Sequence, residues 1–417
     1  MLGYSISFWF LIFTEGLMAA GYSLSFPFLA VYLSSVKGLP IGQVGLFLSL
    51  SMLTASVSNV FGGELSDRFG RKKIMTGSLA LRAFLILLMA LSVKADLNPY
   101  VFFILHPLGL FAGSFFNPAA RAYVADITER KKRMQAYSFM RIGTNAGWAA
   151  GPALGGFIAA SSYAVTFTLT AFVYLVCLLI LSFSLKENKI PEVSENNRTV
   201  YSYFSPKIIT QTLYKDRIFL YFCVFTFIIA SVMSQLVVPM SMYSKKYLLF
   251  EEKQIGLLFT LNGAMVVFFQ YFISRFFSKY PLTFGLAAGS LFYGIGYFMF
   301  GFSVFYHMAL LAMVIVTLGE LMVSPGLQTL SANMASSHLR GRYMGIHSMI
   351  GQIGNSFGIF IGSFLIDKLA GIWAPSSWAF MLAAGITAAL GFMRLGTMIK
   401  EDKKPEDADL VFEKNEQ

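Results

Sequence analysis

Gly63-Glu-Leu-Ser-Asp-Arg-Phe-Gly-Arg-Lys-Lys73 is the stretch that decides how this chain folds. It lies between two apolar runs, 42–62 and 74–93, each long enough to cross a bilayer. A charged connection this short makes the two runs antiparallel neighbours joined on one membrane face. Gly70 suits a backbone turn that other residues would strain. Arg68, Arg71, Lys72 and Lys73 assign that face to the cytoplasm, because positive loops stay inside.

The same reading extends outward along all 417 residues. Hydrophobic residues make up 56% and charged residues 13%, and the mean hydropathy of +0.64 is too high for a soluble domain of this size. Apolar windows at 7–34, 42–62, 74–93, 99–126, 138–160, 163–185, 218–243, 254–276, 284–305, 307–335, 342–368 and 376–398 predict twelve transmembrane helices. Strand-like alternation is absent, and backbone polar groups in lipid must be satisfied within each segment, so the spans are helices. The net charge of +11 is topological and does not point to nucleic acid: most of the 32 Lys and Arg fall on one set of alternating loops and the tail. That bias places both termini in the cytoplasm of a multi-pass plasma (inner) membrane protein. The first span is too long for a signal-peptide core and reads as a retained helix. Cys177 and Cys223 lie inside apolar spans and imply no disulfide framework.

The polar run 186–217 divides the chain into an N-terminal six-helix bundle (1–185) and a C-terminal one (218–400), followed by a charged tail (401–417) expected to be disordered. The halves align at a constant offset of 207 residues: Pro118 meets Pro325, Arg133 meets Arg340, and Gly147, Gly151 and Gly155 meet Gly354, Gly358 and Gly362. Gln43-Val44-Gly45 matches Gln254-Ile255-Gly256 at an offset of 211. The expected architecture is all-α and integral to the membrane, with two pseudo-symmetric bundles flanking a midplane site.

Two motifs resemble a known family. Residues 63–73 resemble the Gly-x-Leu-(Ser/Ala)-Asp-Arg-x-Gly-Arg-Lys signature of the major facilitator superfamily, with Gly63, Asp67, Arg68, Gly70 and Arg71 in place. The resemblance implies a gating cluster of Asp67 and Arg71 with Asp126, at the inner end of span four, that holds the inward side closed. Residues 147–156 resemble the Gly-x-x-x-Gly-Pro-x-x-Gly-Gly motif common in exporting antiporters of that superfamily. There Gly147, Gly151 and Gly155 form a smooth packing stripe, and Pro152 interrupts the backbone ladder. The implied role is a close, bendable contact between the halves. Related drug antiporters carry an embedded Arg about twelve residues before Pro118. This chain has His106 there, which keeps the means to relay a proton but loses a fixed positive charge.

Three further groups are candidates for chemistry. Glu15 sits about 12 Å along the first span, where an ionised acid costs about 2.5–3.5 kcal/mol and must face protein or a wet cavity. It reads either as a structural partner or as a proton carrier. Glu320 lies near the middle of span ten, in a Gly-Glu…Pro segment that resembles proton-driven multidrug antiporters; its partner in the repeat is Gly113. Tyr22 in span one, and Arg141, Asn145 and Trp148 at i, i+4 and i+7 in span five, are the expected cavity lining. Asn262, Gln270, Gln352 and Asn355 read as interhelical glue.

No enzyme, cofactor or metal signature is present: the four His show no i, i+4 pairing, and no phosphate-cradling loop occurs. The expectation is a monomeric, proton-coupled exporter of lipophilic or amphiphilic small molecules, with Glu15, Glu320 and His106 handling protons. The alternatives are a transporter of a polar metabolite or sugar, and a transport-dead receptor or scaffold.

Overall fold

The structure, a computed structural model, describes residues 4–129, 132–186, 216–334 and 340–402. The expected linker and tail fall almost wholly outside the described residues. Among the described residues every regular element is helical, as a chain that must satisfy its backbone within lipid requires. Large apolar side chains such as Phe84, Phe183 and Phe268 point outward and are exposed.

Helix α1 (Ile6–Val31) starts where the Ser5 hydroxyl accepts the Phe8 N–H at 3.3 Å, and it runs on through a π turn at Tyr32–Val36. The expected charged loop is corrected by α2 (Ile41–Phe69) and α3 (Arg71–Lys94). Residues 63–69 complete the last turns of α2, and Gly70 alone reverses the chain, at φ 100°. That conformation would strain any residue with a Cβ. A helix end that has left the hydrocarbon needs no loop to carry its charges.

Two expected spans are broken. Span four is a 3-10 turn at Pro99–Val101, then α4 (Phe102–Ser114) and α5 (Phe116–Ile127). Pro118 accounts for the break, since it offers no N–H to the Ser114 carbonyl and its ring crowds that group. Span seven is α8 (Arg217–Met233), a 3-10 turn at Ser234–Leu236, and α9 (Val238–Lys246), with Pro239 in the first turn of α9. The remaining helices are α6 (Arg133–Ser161), α7 (Tyr163–Ser184), α10 (Glu252–Phe277), α11 (Leu282–Gly301), α12 (Tyr306–Asn333), α13 (Arg340–Leu369) and α14 (Ser376–Asp402). Among the described residues, eleven stretches are long and apolar enough to cross a membrane. The fifth expected span, α6, is helical over 29 residues but stands outside that set. Successive spans alternate in direction, so the Gly70 turn marks one end of the bundle, the motif face. The turns at 37–40, 95–98 and 247–251 mark the opposite face.

The two glycine rows are used alike. A Cβ on Gly147, Gly151 or Gly155 would run into Gly16, Ala20, Ser23 or Leu24 of α1. One on Gly354, Gly358 or Gly362 would run into Phe227, Ser231 or Gln235 in the α8 span. Small residues let these backbones touch, and hydroxyls fasten them: Ser23 Oγ donates to the Gly147 carbonyl at 3.4 Å, and Ser231 Oγ to that of Gly354 at 3.0 Å. The stripe 147/151/155 therefore packs within its own half. It does not join the halves, which corrects the expectation drawn from the resemblance.

The halves meet along two other seams, α2 against α13 and α6 against α10. Gly45 lies on Ser363 and the Ile359 carbonyl, while Gly256 lies on Gly156 and the Pro152 carbonyl. These are the same positions in the repeat. One residue further round α6, about 100°, separates the face for α1 from the face for α10. Cys177 and Cys223 are free and buried.

Candidate functional site

A cavity of about 260 Å³ opens between the halves, lined by Trp148, Asn145 and Pro152 of α6 and by Phe259, Asn262 and Glu320 of α10 and α12, among others. Leu236 and Val237, at the 3-10 turn between α8 and α9, also line it. Its one carboxylate is tied in place: Asn262 Nδ2 donates to Glu320 Oε2 at 2.7 Å and to Thr317 Oγ1 at 3.0 Å. Asn262, read from sequence as glue, is thus the group that orients the acid. Trp148 and Phe259 give the cavity aromatic walls. Such a site, mostly apolar with few convergent polar groups, accepts an amphiphilic molecule.

The other expected residues are placed differently. Tyr22 stands behind Trp148, edge to face at 5.8 Å, and stacks on Phe26 at 4.8 Å. Arg82 of α3 lies over the faces of Tyr22 and Tyr174 at 5.1 and 5.0 Å. His106 is buried between Phe26 and Phe47, and neither ring nitrogen has a hydrogen-bond partner among the described residues. Glu15, half-buried on α1, is not among the cavity-lining residues. Glu15, His106 and Glu320 are therefore not brought to one place. Arg141 lies away from the cavity and reaches across to Gln328 Oε1 at 3.3 Å.

Each face carries a charged cluster. On the motif face Arg71 pairs with Asp67, approaches Asp126 Oδ2 at 3.4 Å, and donates to Ser66 Oγ at 2.7 Å. This joins α2, α3 and α5 within one half. Arg68 is exposed on the same turn, and the surroundings of Gly63 lie outside the described side chains. On the opposite face a second cluster crosses the halves: Tyr163 Oη donates to Glu252 Oε1 at 2.6 Å, and Lys245 Nζ meets the same oxygen at 2.9 Å. Sequence reading missed this latch, although the pairing of Glu251 with Gln254 as a capping box marked the start of α10. Ser56 and Gln352 also bond across the halves.

A sequence profile described as Major Facilitator Superfamily matches residues 11–358 and again 238–415. The chain belongs to the major facilitator superfamily. Its relatives there include the Na(+), Li(+), K(+)/H(+) antiporter of Planococcus maritimus, 27% identical over 94% of this chain and 95% of that protein. They also include Multidrug resistance protein 2 of Bacillus subtilis, 26% identical over 88% of each chain, and the quinolone resistance protein NorA of Staphylococcus aureus, 25% identical over 86% and 89%. Among solved structures, a POT family transporter superposes with a TM-score of 0.78 at 14% identity, covering 96% of this chain and 98% of that one, a likeness of fold alone. The chain is thus a multi-pass membrane transporter with the superfamily fold. No group of three or more His, Cys, Asp and Glu able to hold a metal occurs among the described residues.

Proposed function

We propose that this transporter is a proton-coupled exporter of lipophilic or amphiphilic small molecules, working as a monomer in the plasma membrane with both termini in the cytoplasm. The observation that carries the reading is Glu320, a lone carboxylate hydrogen-bonded to Asn262 inside an aromatic-walled cavity between the halves. A group so placed takes either a proton or a substrate, and that exclusivity is what exchange of one for the other needs. Residues 1–185 and 218–400 act as two bundles rocking about the cavity, with the Asp67–Arg71–Asp126 cluster shaping the motif-face gate. Each proton moving inward down the potential releases ~2.3 kcal/mol per 100 mV, plus any pH term. The names of the relatives, a cation/H(+) antiporter and drug resistance proteins, agree with this direction.

Reconstitution into liposomes tests it. An imposed proton gradient drives accumulation of a fluorescent amphiphile by the wild type. Glu320→Gln keeps size and hydrogen bonding but cannot titrate, so it abolishes gradient-driven accumulation and leaves downhill exchange. Glu15→Gln has a similar or milder effect. Full substrate-induced proton release from the double variant would sink the carboxylate scheme and leave His106 as the proton carrier. Alkali cations tested in the same vesicles decide whether a metal cation is the cargo.

A further inference from the structure

Arg82 is a charge in the middle of a membrane span, and no carboxylate pairs with it among the described residues. Embedded cations are costly and ordinarily face partners or a wet cavity. This one is held by two tyrosine faces, whose ring electrons attract a guanidinium. Its head also fills the space a Cβ on Gly113 would need. Gly113 is the repeat partner of Glu320, so at matched positions one half stores a cation where the other presents an acid. From the Arg82 guanidinium, one ring, Tyr22, leads to Trp148 on the cavity wall, a path of at most about 11 Å.

We infer that Arg82 is a specificity-determining residue: lodged behind Tyr22, it makes the first-half wall of the cavity positive, opposite the Glu320 wall. The cavity then holds an amphiphile with its cationic end on Glu320 and its electron-rich end against Trp148. A unit charge at this range in a protein of effective dielectric 20 to 40 changes a local ion concentration about three- to tenfold. Tyr22, Phe26 and Trp148 carry no charge, and His106 and Glu15 stand on the far side of this stack or outside the cavity. Arg82 is therefore the fixed positive charge on that wall.

The polarity belongs to the cavity of the proposed exporter, but an ionic quencher reads it without any transported molecule. A negative transport assay therefore leaves it standing. The probes are iodide and caesium, applied to the full chain in detergent with Trp9, Trp373 and Trp378 changed to Phe, so that only Trp148 emits. Arg82→Gln is expected to lower the iodide-to-caesium quenching ratio about ten- to hundredfold, because iodide falls and caesium rises by the same factor. Arg82→Lys keeps the ratio, and Glu320→Gln raises it. Gly113→Ala, which retains the charge but displaces the guanidinium, lowers it part-way and serves if Arg82→Gln fails to fold. An equal ratio in the wild type and Arg82→Gln, or an equal fall in the Lys and Gln variants, would overturn the assignment.

Discussion

At the scale of single residues, the acid in span ten could be read from sequence but its partner could not. A carboxylate deep in an apolar run announces itself by cost alone. That Asn262 is the group at 2.7 Å depends on how α10 packs against α12, 58 positions away in sequence. The consequence can be measured. Asn262→Leu leaves Glu320 without its donor, and an unmade hydrogen bond to a buried acid costs ~1–3 kcal/mol. Transport is expected to fall about tenfold in kcat/KM, ~1.4 kcal/mol, while the melting temperature moves by only a few degrees. A melting temperature that collapses with the activity would show Asn262 to be packing rather than orientation. Arg82 shows the reverse case. Its position, 82, falls within the apolar run 74–93, yet nothing local in the sequence tells that it lies between Tyr22 and Tyr174.

Among elements, the glycine rows were legible because close backbone contact tolerates nothing larger, and the requirement repeats every turn. What they pack against was not, since a stripe does not name its neighbour. Breaks at Phe115 and at 234–237 were signalled by Pro118 and Pro239, but an apolar run long enough to span hides them. The rows also permit a graded test. Gly151→Val drives side-chain atoms into Ser23 and the α1 backbone, and Gly358→Val does the same at Ser231. Each is expected to lower stability by ~1–3 kcal/mol. Gly351 lies in α13 with nothing within 4 Å of an added Cβ, so Gly351→Ala should be neutral or raise stability by up to about 1 kcal/mol. Thermal melts in detergent rank the three, and equal losses at positions 151 and 351 would contradict the packing described.

For the molecule as a whole, the two seams repeat one contact, whereas the latch on the opposite face has no twin. Tyr163 and Glu252 therefore add to that face a tie between the halves that the repeat does not supply at the motif face. Glu252→Gln removes the ion pair to Lys245, and Tyr163→Phe removes the bridge between halves. Both are expected to lengthen the distance between spin labels at Val36 and Val304, exposed sites on that face in the first and second halves. Distance distributions identical to the unmutated protein would leave the latch without a conformational role. That the spans are helices was readable from the sequence, because the bilayer demands a backbone satisfied within each segment. The latch was not, because it depends on three side chains from separate helices converging. Such labels also find unusually clean ground. Both native thiols, Cys177 and Cys223, are sealed inside the helix packing, so a water-borne maleimide or methanethiosulfonate meets no natural competitor. Single cysteines can be introduced and reacted in the otherwise wild-type chain.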